Sequence, residues 1–331
     1  MATIKDGLKR GILRSGMLSV MAARQPAQAV VLRYHSILEN PAEHAQTIGA
    51  GIIHSTAAFE KQMDYLSQRC VPVTVDEVLA FARGEIRLRP RSVAVTFDDG
   101  YEDNLVHAVP IMNRHGVRGA IYVMTEYVDA VPWYCTLRYI FATTQRTSFI
   151  DPFDGSTRSL VPPQRRESYL SASRACAATP REKIDGAMAA LEAALDVEYR
   201  PSSRIMLTWD GVREVVRQGH IIGSHSRTHP NMAYIDGAER ADQMRVSREI
   251  LERETGAPIR HFSYPSPIME PHWTEETIGT CREAGYDTAV TCAFGAVRGN
   301  DNPLAMKRLF AHQTIDAFQW AIENLFAGRR V

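Results

Sequence analysis

Short apolar, β-rich runs recur along this chain, and most of them are followed by a stretch with helical spacing. Val30 to Tyr34, Val93 to Phe97, Ala120 to Met124, Ile221 to Ser224, His261 to Tyr264, Asp287 to Cys292 and Met306 to Phe310 read as strands. Phe59 to Arg69, Thr208 to Gln218, Ala238 to Thr255 and Thr274 to Ala284 read as helices, and another ends at His115-Gly116. Strands separated by helices argue for parallel strands with crossovers, so the chain is restricted to an α/β sheet or barrel. One region breaks the alternation, from about residue 130 to 204. There, Phe153 to Gly155 reads as the turn of a small hairpin between Thr147–Ile150 and Thr157–Val161. A helix-rich stretch follows, with Ala187 to Leu195 strongly helical by propensity. This region is expected to be an insertion, with a lid, a dimer contact and a partner surface as its open roles.

With 331 residues, 45 % of them hydrophobic and 23 % charged, the chain can bury a sizeable core and is not mainly disordered. Lys plus Arg number 38, as do Asp plus Glu, so nothing global favours nucleic acid or a strongly charged polymer as partner. Five scattered cysteines, without a C-x-x-C pair, read as reduced cytosolic thiols. No run approaches the roughly 18 apolar residues of a membrane span. Residues 1–28 stand apart: Lys5, Lys9, Arg10 and Arg14 alternate with Ile4, Leu8, Ile12 and Leu18. They read as a basic amphipathic helix packed on the body, with peripheral membrane contact or a cleaved signal as the alternatives. Residues 29–331 are expected to form the barrel.

In such folds functional side chains gather at the C-terminal ends of strands, and three of those ends are unusually polar. The first is Thr96-Phe97-Asp98-Asp99-Gly100-Tyr101, which reads as a solvent turn or as a working pair of carboxylates. If buried, two adjacent carboxylates require a cation or hydrogen bonds to offset repulsion and desolvation. The second is Gly223-Ser224-His225-Ser226-Arg227-Thr228-His229-Pro230, with two histidines four apart. That spacing lets two imidazoles share a metal, and one carboxylate would complete a three-ligand site with room for water and substrate. The third is Phe262-Ser263-Tyr264-Pro265-Ser266-Pro267, whose prolines stiffen a loop over the same face. Late in the chain, Arg308-Leu309-Phe310-Ala311-His312 places a histidine just after the last strand.

T-F-D-D-G, S-H-S-R-T-H-P, F-S-Y-P and the late F-x-H follow the order of the polysaccharide deacetylase (NodB-homology) family, carbohydrate esterase family 4. Leu32 to His35, Leu207 to Asp210, and Gly285 to Asp287 through Gly295 to Val297 resemble its exopolysaccharide and glycan-biosynthesis branch. The resemblance runs from about Ala29 to Thr314, apart from the insertion. It implies α/β architecture as a deformed (β/α)7-like (TIM-type) barrel with a helical and hairpin insertion. It also implies a metal-dependent hydrolase that removes N-acetyl groups from an acetamido sugar in a glycan, glycolipid or sugar nucleotide. Carried onto matching positions, Asp99, His225 and His229 would bind the metal, and Asp98 would be the general base on metal-bound water. The Ser266 N–H would hold the oxyanion, and His312 would be the general acid. His35 is the reserve for that acid.

Several positions depart from the family pattern. Ser263 stands where many members have an arginine paired with the base, and Arg308 is the expected substitute. Pro267 replaces a glycine, and Phe310 replaces a common leucine. Tyr264, Pro265, Ser266, His35, Trp133 and Arg308 are the expected substrate contacts; Trp133-Tyr134 reads as a sugar-stacking platform or as packing for the insertion. Zn²⁺ suits the donor set, as do Co²⁺, Ni²⁺ and Fe²⁺. The expected setting is the cytoplasm or the inner membrane surface. The competing readings are a catalytically silent, metal-containing glycan binder and a metal-dependent O-acetyl esterase.

Overall fold

The computed structural model describes residues 4–201 and 203–329. Seven parallel strands carry the fold: β1 (Gln28–Tyr34), β2 (Ser92–Phe97), β3 (Gly119–Val123), β4 (Ile221–Ser224), β5 (His261–Ser263), β6 (Thr288–Phe294) and β7 (Met306–Phe310). Their order is β1-β7-β6-β5-β4-β3-β2, and β2 pairs again with β1. The sheet therefore closes into a deformed barrel. Its distortion is local: β1 meets β7 only at Leu32↔Leu309 and Arg33↔Phe310, β4 meets β5 only at Ser224↔Phe262, and the β6–β7 register shifts between Val290 and Phe294.

Strand side chains alternate between faces, and here both faces are apolar because both are covered. Ala29, Val31, Ala94, Ala120, Tyr122, Val290 and Met306 fill the barrel interior. Val30, Leu32, Tyr34, Val95, Phe97 and Val123 point outward, against the apolar faces of the surrounding helices. Each such fully buried aliphatic or aromatic side chain contributes roughly 1.5–3 kcal/mol. Polar residues interrupt this pattern at both ends of the barrel: Ser92, His261 and Thr288 at strand starts, and Thr96, Asp98 and Asp99 at the C-terminal mouth.

The N-terminal stretch is two helices rather than one, α1 (Ile4–Arg14) and α2 (Met17–Ala22), because Gly16 adopts φ +73° between them. The Ile4 and Lys5 side chains lie outside the described residues. Arg10 pairs with Asp316, Lys9 lies over the Trp320 ring, and Leu18 is buried, while Leu8 and Val20 remain exposed. The next helices are α3 (Thr56–Arg69), α4 (Val75–Ala82) and α5 (Val109–Arg114). Of these α4 is unanticipated, although its Thr74/Glu77 capping box is written in the sequence and both its hydrogen bonds form.

The insertion contains α6 (Trp133–Thr143), a hairpin of Ser148–Ile150 with Thr157–Ser159, α7 (Gln164–Ala177) and α8 (Arg181–Leu195). It packs around its own apolar cluster, which takes in Tyr101 and Met124 from the barrel mouth. The fold finishes with α9 (Trp209–Arg217), α10 (Gly237–Thr255), α11 (Glu275–Glu283) and α12 (Ile315–Phe326). All five cysteines are free thiols. Among the described residues, no helix is long and apolar enough to cross a membrane.

Candidate metal centre

At the end of β2 the chain turns sharply. The Asp98 N–H donates to the Tyr34 carbonyl (3.0 Å), after which Asp99 and Gly100 take φ values of +78° and +80°. A Cβ at residue 100 would stand 3.3 Å from the Val123 side chain, so glycine is required there on two counts. Asp99 tolerates a left-handed backbone better than most residues but still stores strain of roughly 1–3 kcal/mol. The loop after β4 is bent in the same way, with Ser226 at φ +67° and His229 at +60°. Gln243 of α10 holds it, accepting the N–H groups of Arg227 and Thr228 at 3.0 Å each. Ser226 Oγ accepts the His229 N–H at 3.0 Å.

These two turns bring Asp99, His225 and His229 together, with one ligand atom from each lying within 4.8 Å of the others. Asp99 Oδ1 is 3.4 Å from His225 Nε2 and 3.6 Å from His229 Nε2. Ligands about 2.0–2.1 Å from a tetrahedral ion lie about 3.3–3.4 Å apart, so the spacing fits a divalent metal. The tautomer fits too. His225 Nδ1 faces the Ser263 carbonyl at 2.7 Å, and a carbonyl only accepts, so the proton sits on Nδ1 and the Nε2 lone pair faces Asp99. Burial lowers the His229 imidazole to about 3, with the neighbouring His225 adding to the effect, and keeps it neutral. Burial would raise the Asp99 carboxyl, but the cluster of imidazoles around it outweighs burial and holds it below the usual carboxylate range. One carboxylate and two imidazoles make a suitable donor set for a divalent cation.

Asp98, beside this cluster, is buried and clamped. Arg308 Nη1 donates to Oδ1 at 2.8 Å and Nη2 to Oδ2 at 2.7 Å, a bidentate fork across the barrel. The Ser263 hydroxyl adds a bond to Oδ1 at 2.9 Å. Burial would raise the Asp98 carboxyl, but the Arg308 charge outweighs burial and holds it well below the usual carboxylate range. Arg308 spends its other donors on the Thr291 carbonyl, Thr96 Oγ1 and Ser263 Oγ. No N–H of Arg308 is left for a sugar, so its expected place among the substrate contacts is corrected: it positions Asp98.

Other expected contacts move as well. Tyr264 is in the core, its hydroxyl bonded to the Leu304 carbonyl at 3.0 Å and its ring against Phe262. Trp133 is 3 % exposed and donates Nε1–H to the Thr228 carbonyl at 3.0 Å, so it braces the ligand loop and offers no stacking face. Its neighbour Tyr134 packs against the His229 ring, 5.0 Å between centroids. Pro265 is buried, whereas Ser266 is half-buried with an N–H that bonds nothing among the described residues. His312 is exposed; its carbonyl accepts from Gln62 and the charge acting on its ring is Lys9, on the side of the N-terminal helices. His35 is instead the imidazole brought to the carboxylates. Burial lowers it to about 4 against the pull of Asp99 and Asp98, and its Nδ1 is buried without a partner among the described residues. Asn104 anchors the His35 carbonyl at 2.6 Å, and Asp103 anchors Ser36 and Ile37. Neither anchor, nor Gln243, carries a signature at the level of sequence.

A family model described as polysaccharide deacetylase matches residues 85–289, more than half of the chain. YxkH of Bacillus subtilis, named as a polysaccharide deacetylase, is 26 % identical over 105 residues, which span 31 % of this chain and only 34 % of that relative. Among solved structures, IcaB from Ammonifex degensii matches 90 % of this chain and 99 % of its own at TM-score 0.58 and 19 % identity. The Streptococcus pyogenes deacetylase PplD, solved with acetate, matches 87 % of this chain and 94 % of its own at TM-score 0.58 and 16 % identity. These two likenesses concern the fold. With the matching family model, and with the triad and clamped aspartate lying where its motifs converge, the chain belongs to the polysaccharide deacetylase family.

Proposed function

We propose that this protein is a metal-dependent hydrolase that removes the N-acetyl group of an acetamido sugar carried in a glycan, a glycolipid or a sugar nucleotide. The observation that carries this reading is the adjacency of two differently treated carboxylates. Asp99 faces two imidazoles, while Asp98 is locked by Arg308 beside them. A divalent ion, for which Zn²⁺ is our assignment, would be held by Asp99, His225 and His229, and when bound supplies Lewis acidity toward the acetyl carbonyl and toward water.

The chain's own groups do the rest. Asp98, ionised and fixed in orientation, takes a proton from the attacking water. The unbonded Ser266 N–H is placed to accept the charge that develops on the carbonyl oxygen, a contact whose loss typically costs roughly 100- to 1,000-fold. The leaving amine needs a proton, and we assign its delivery to His35 rather than His312, because His35 shares the pocket with Asp98 and Asp99. The test is acetate release from a panel of acetamido sugars in polymer, oligosaccharide and nucleotide-linked form. Release should require metal and should fall at least about 100-fold in Asp98→Asn. Release that persists in that variant, or silence across the panel from protein that still binds metal at the triad, would overturn the proposal.

A further inference from the structure

Arg33 forms no salt bridge with any carboxylate among the described residues, although Asp98 and Asp99 lie near enough to attract it. It lies near the end of β1, in register with Thr96 of β2 and Phe310 of β7. Ala29 and Val31 fill the barrel interior, and alternation along the strand aims Arg33 into the same interior, one layer nearer the mouth. Its guanidinium lies over the Phe310 ring, 5.4 Å from the centroid, and makes no ion pair or hydrogen bond with any described residue. It is half-buried, so the mouth still gives access to it.

The groups around it are already committed. Asp98 is taken by both arms of Arg308, which itself repels Arg33. Thr96 Oγ1 donates to the Leu32 carbonyl and accepts from Arg308. The Cys292 thiol faces His272 Nδ1 at 3.1 Å, and the other nitrogen of that ring lies 2.9 Å from the Pro267 carbonyl. A half-buried guanidinium at the mouth with no acceptor of its own has N–H groups free for one that arrives there. Its five N–H donors in a planar fork match a carboxylate or phosphate.

We infer that Arg33 is an anion-recognition residue of this site, so that the acetamido substrate bears a carboxylate or phosphate group which the Arg33 fork holds. The inference rests on the deacetylase reading above for the acetamido part, and on Arg33 alone for the anion. The released acetate is the other carboxylate that reaches this pocket.

Binding of N-acetylglucosamine 1-phosphate, N-acetylglucosaminuronate and neutral methyl N-acetylglucosaminide to the metal-loaded protein would be measured by calorimetry, beside kcat/KM for acetate release from each. The anionic sugars should be favoured about 10- to 100-fold, the size of a charged hydrogen-bonded pair. Arg33→Met and Arg33→Gln should bring that ratio toward one, and Arg33→Lys should restore part of it; melting curves establish that each variant is folded. Equal binding of charged and neutral sugars by the wild type, or a preference that survives both neutral variants, would refute the inference. So would a variant effect seen only as weaker inhibition by acetate, which would assign the fork to the product. Absence of turnover with the binding preference intact would sink the deacetylase reading and leave the anion site standing.

Discussion

Strand β2 has an arginine–carboxylate fork at each of its ends, and the two are put to different use. Below its first residue, Arg91 grips Glu323 of α12 through both arms, with the Tyr65 hydroxyl on the same carboxylate and the Phe326 ring 5.0 Å from the guanidinium. Above its last residue, Arg308 grips Asp98. The lower pair has side chains 23 % and 10 % exposed, the upper pair 1 % and 3 %. Water shares the lower charges, so that fork ties a helix to the barrel at modest desolvation cost. The upper fork is almost wholly buried, where a lone charge is expensive. The same chemistry thus fastens structure at one end and, at the other, holds a reactive carboxylate ionised and still.

The largest effect should come from breaking the upper fork. Arg308→Met leaves Asp98 buried and unpaired, which costs about 3–5 kcal/mol of stability, and it should also abolish acetate release. Adding Asp98→Asn should recover much of the stability, by urea denaturation, and none of the activity. Recovery of both, or loss of neither in the single variant, would remove the distinction between the ends. Breaking the lower fork should cost less: Glu323→Gln should lose about 1–3 kcal/mol in the same denaturation assay, with activity per folded molecule retained. A loss of activity larger than the loss of folded protein would mean that the two ends are coupled.

The third and smallest effect concerns pH. His220, at the lower end of β4, is within hydrogen-bond distance of the Gly119 N–H and of Asn113 Oδ1, each at 3.1 Å. Burial, then the Arg118 charge, lowers its imidazole to about 4, against about 6.5 in an unfolded chain. Between these values the unfolded chain binds a proton that the folded protein refuses. The contribution of His220 is therefore complete above about pH 6.5 and is lost as pH falls toward 4. Stabilities from urea denaturation at pH 7 and pH 5 should differ, the His220 share being up to about 2 kcal/mol, and the difference should shrink by that share in His220→Gln. An unchanged difference would place the acid sensitivity elsewhere, at the mouth included.

Most strands, and the helices that follow them, were legible because each is a local period. Ile221 to Ser224 and Met306 to Phe310 match their observed spans, and Thr208 caps the helix that starts at Trp209. The triad was legible because each of its turns is contiguous in sequence. The roles of Tyr264, Trp133 and His312 were not. Each sits within or beside a motif, yet Tyr264 turns to the core, Trp133 to a loop carbonyl, and His312 is exposed. Which way it turns depends on what the barrel places opposite it.

The sequence alone therefore determined that the chain alternates strands and helices and that carboxylates and imidazoles cluster at strand ends, since these depend on neighbours a few residues apart. Tertiary structure decided that Arg308, 210 residues from Asp98, is its partner; that His35 is brought toward the carboxylates; and that Arg33 makes no ion pair with a described residue. Those outcomes belong to barrel closure, which brings β1, β2 and β7 side by side. In so buried a cluster, the position of each charge relative to the next determines its ionisation and its use.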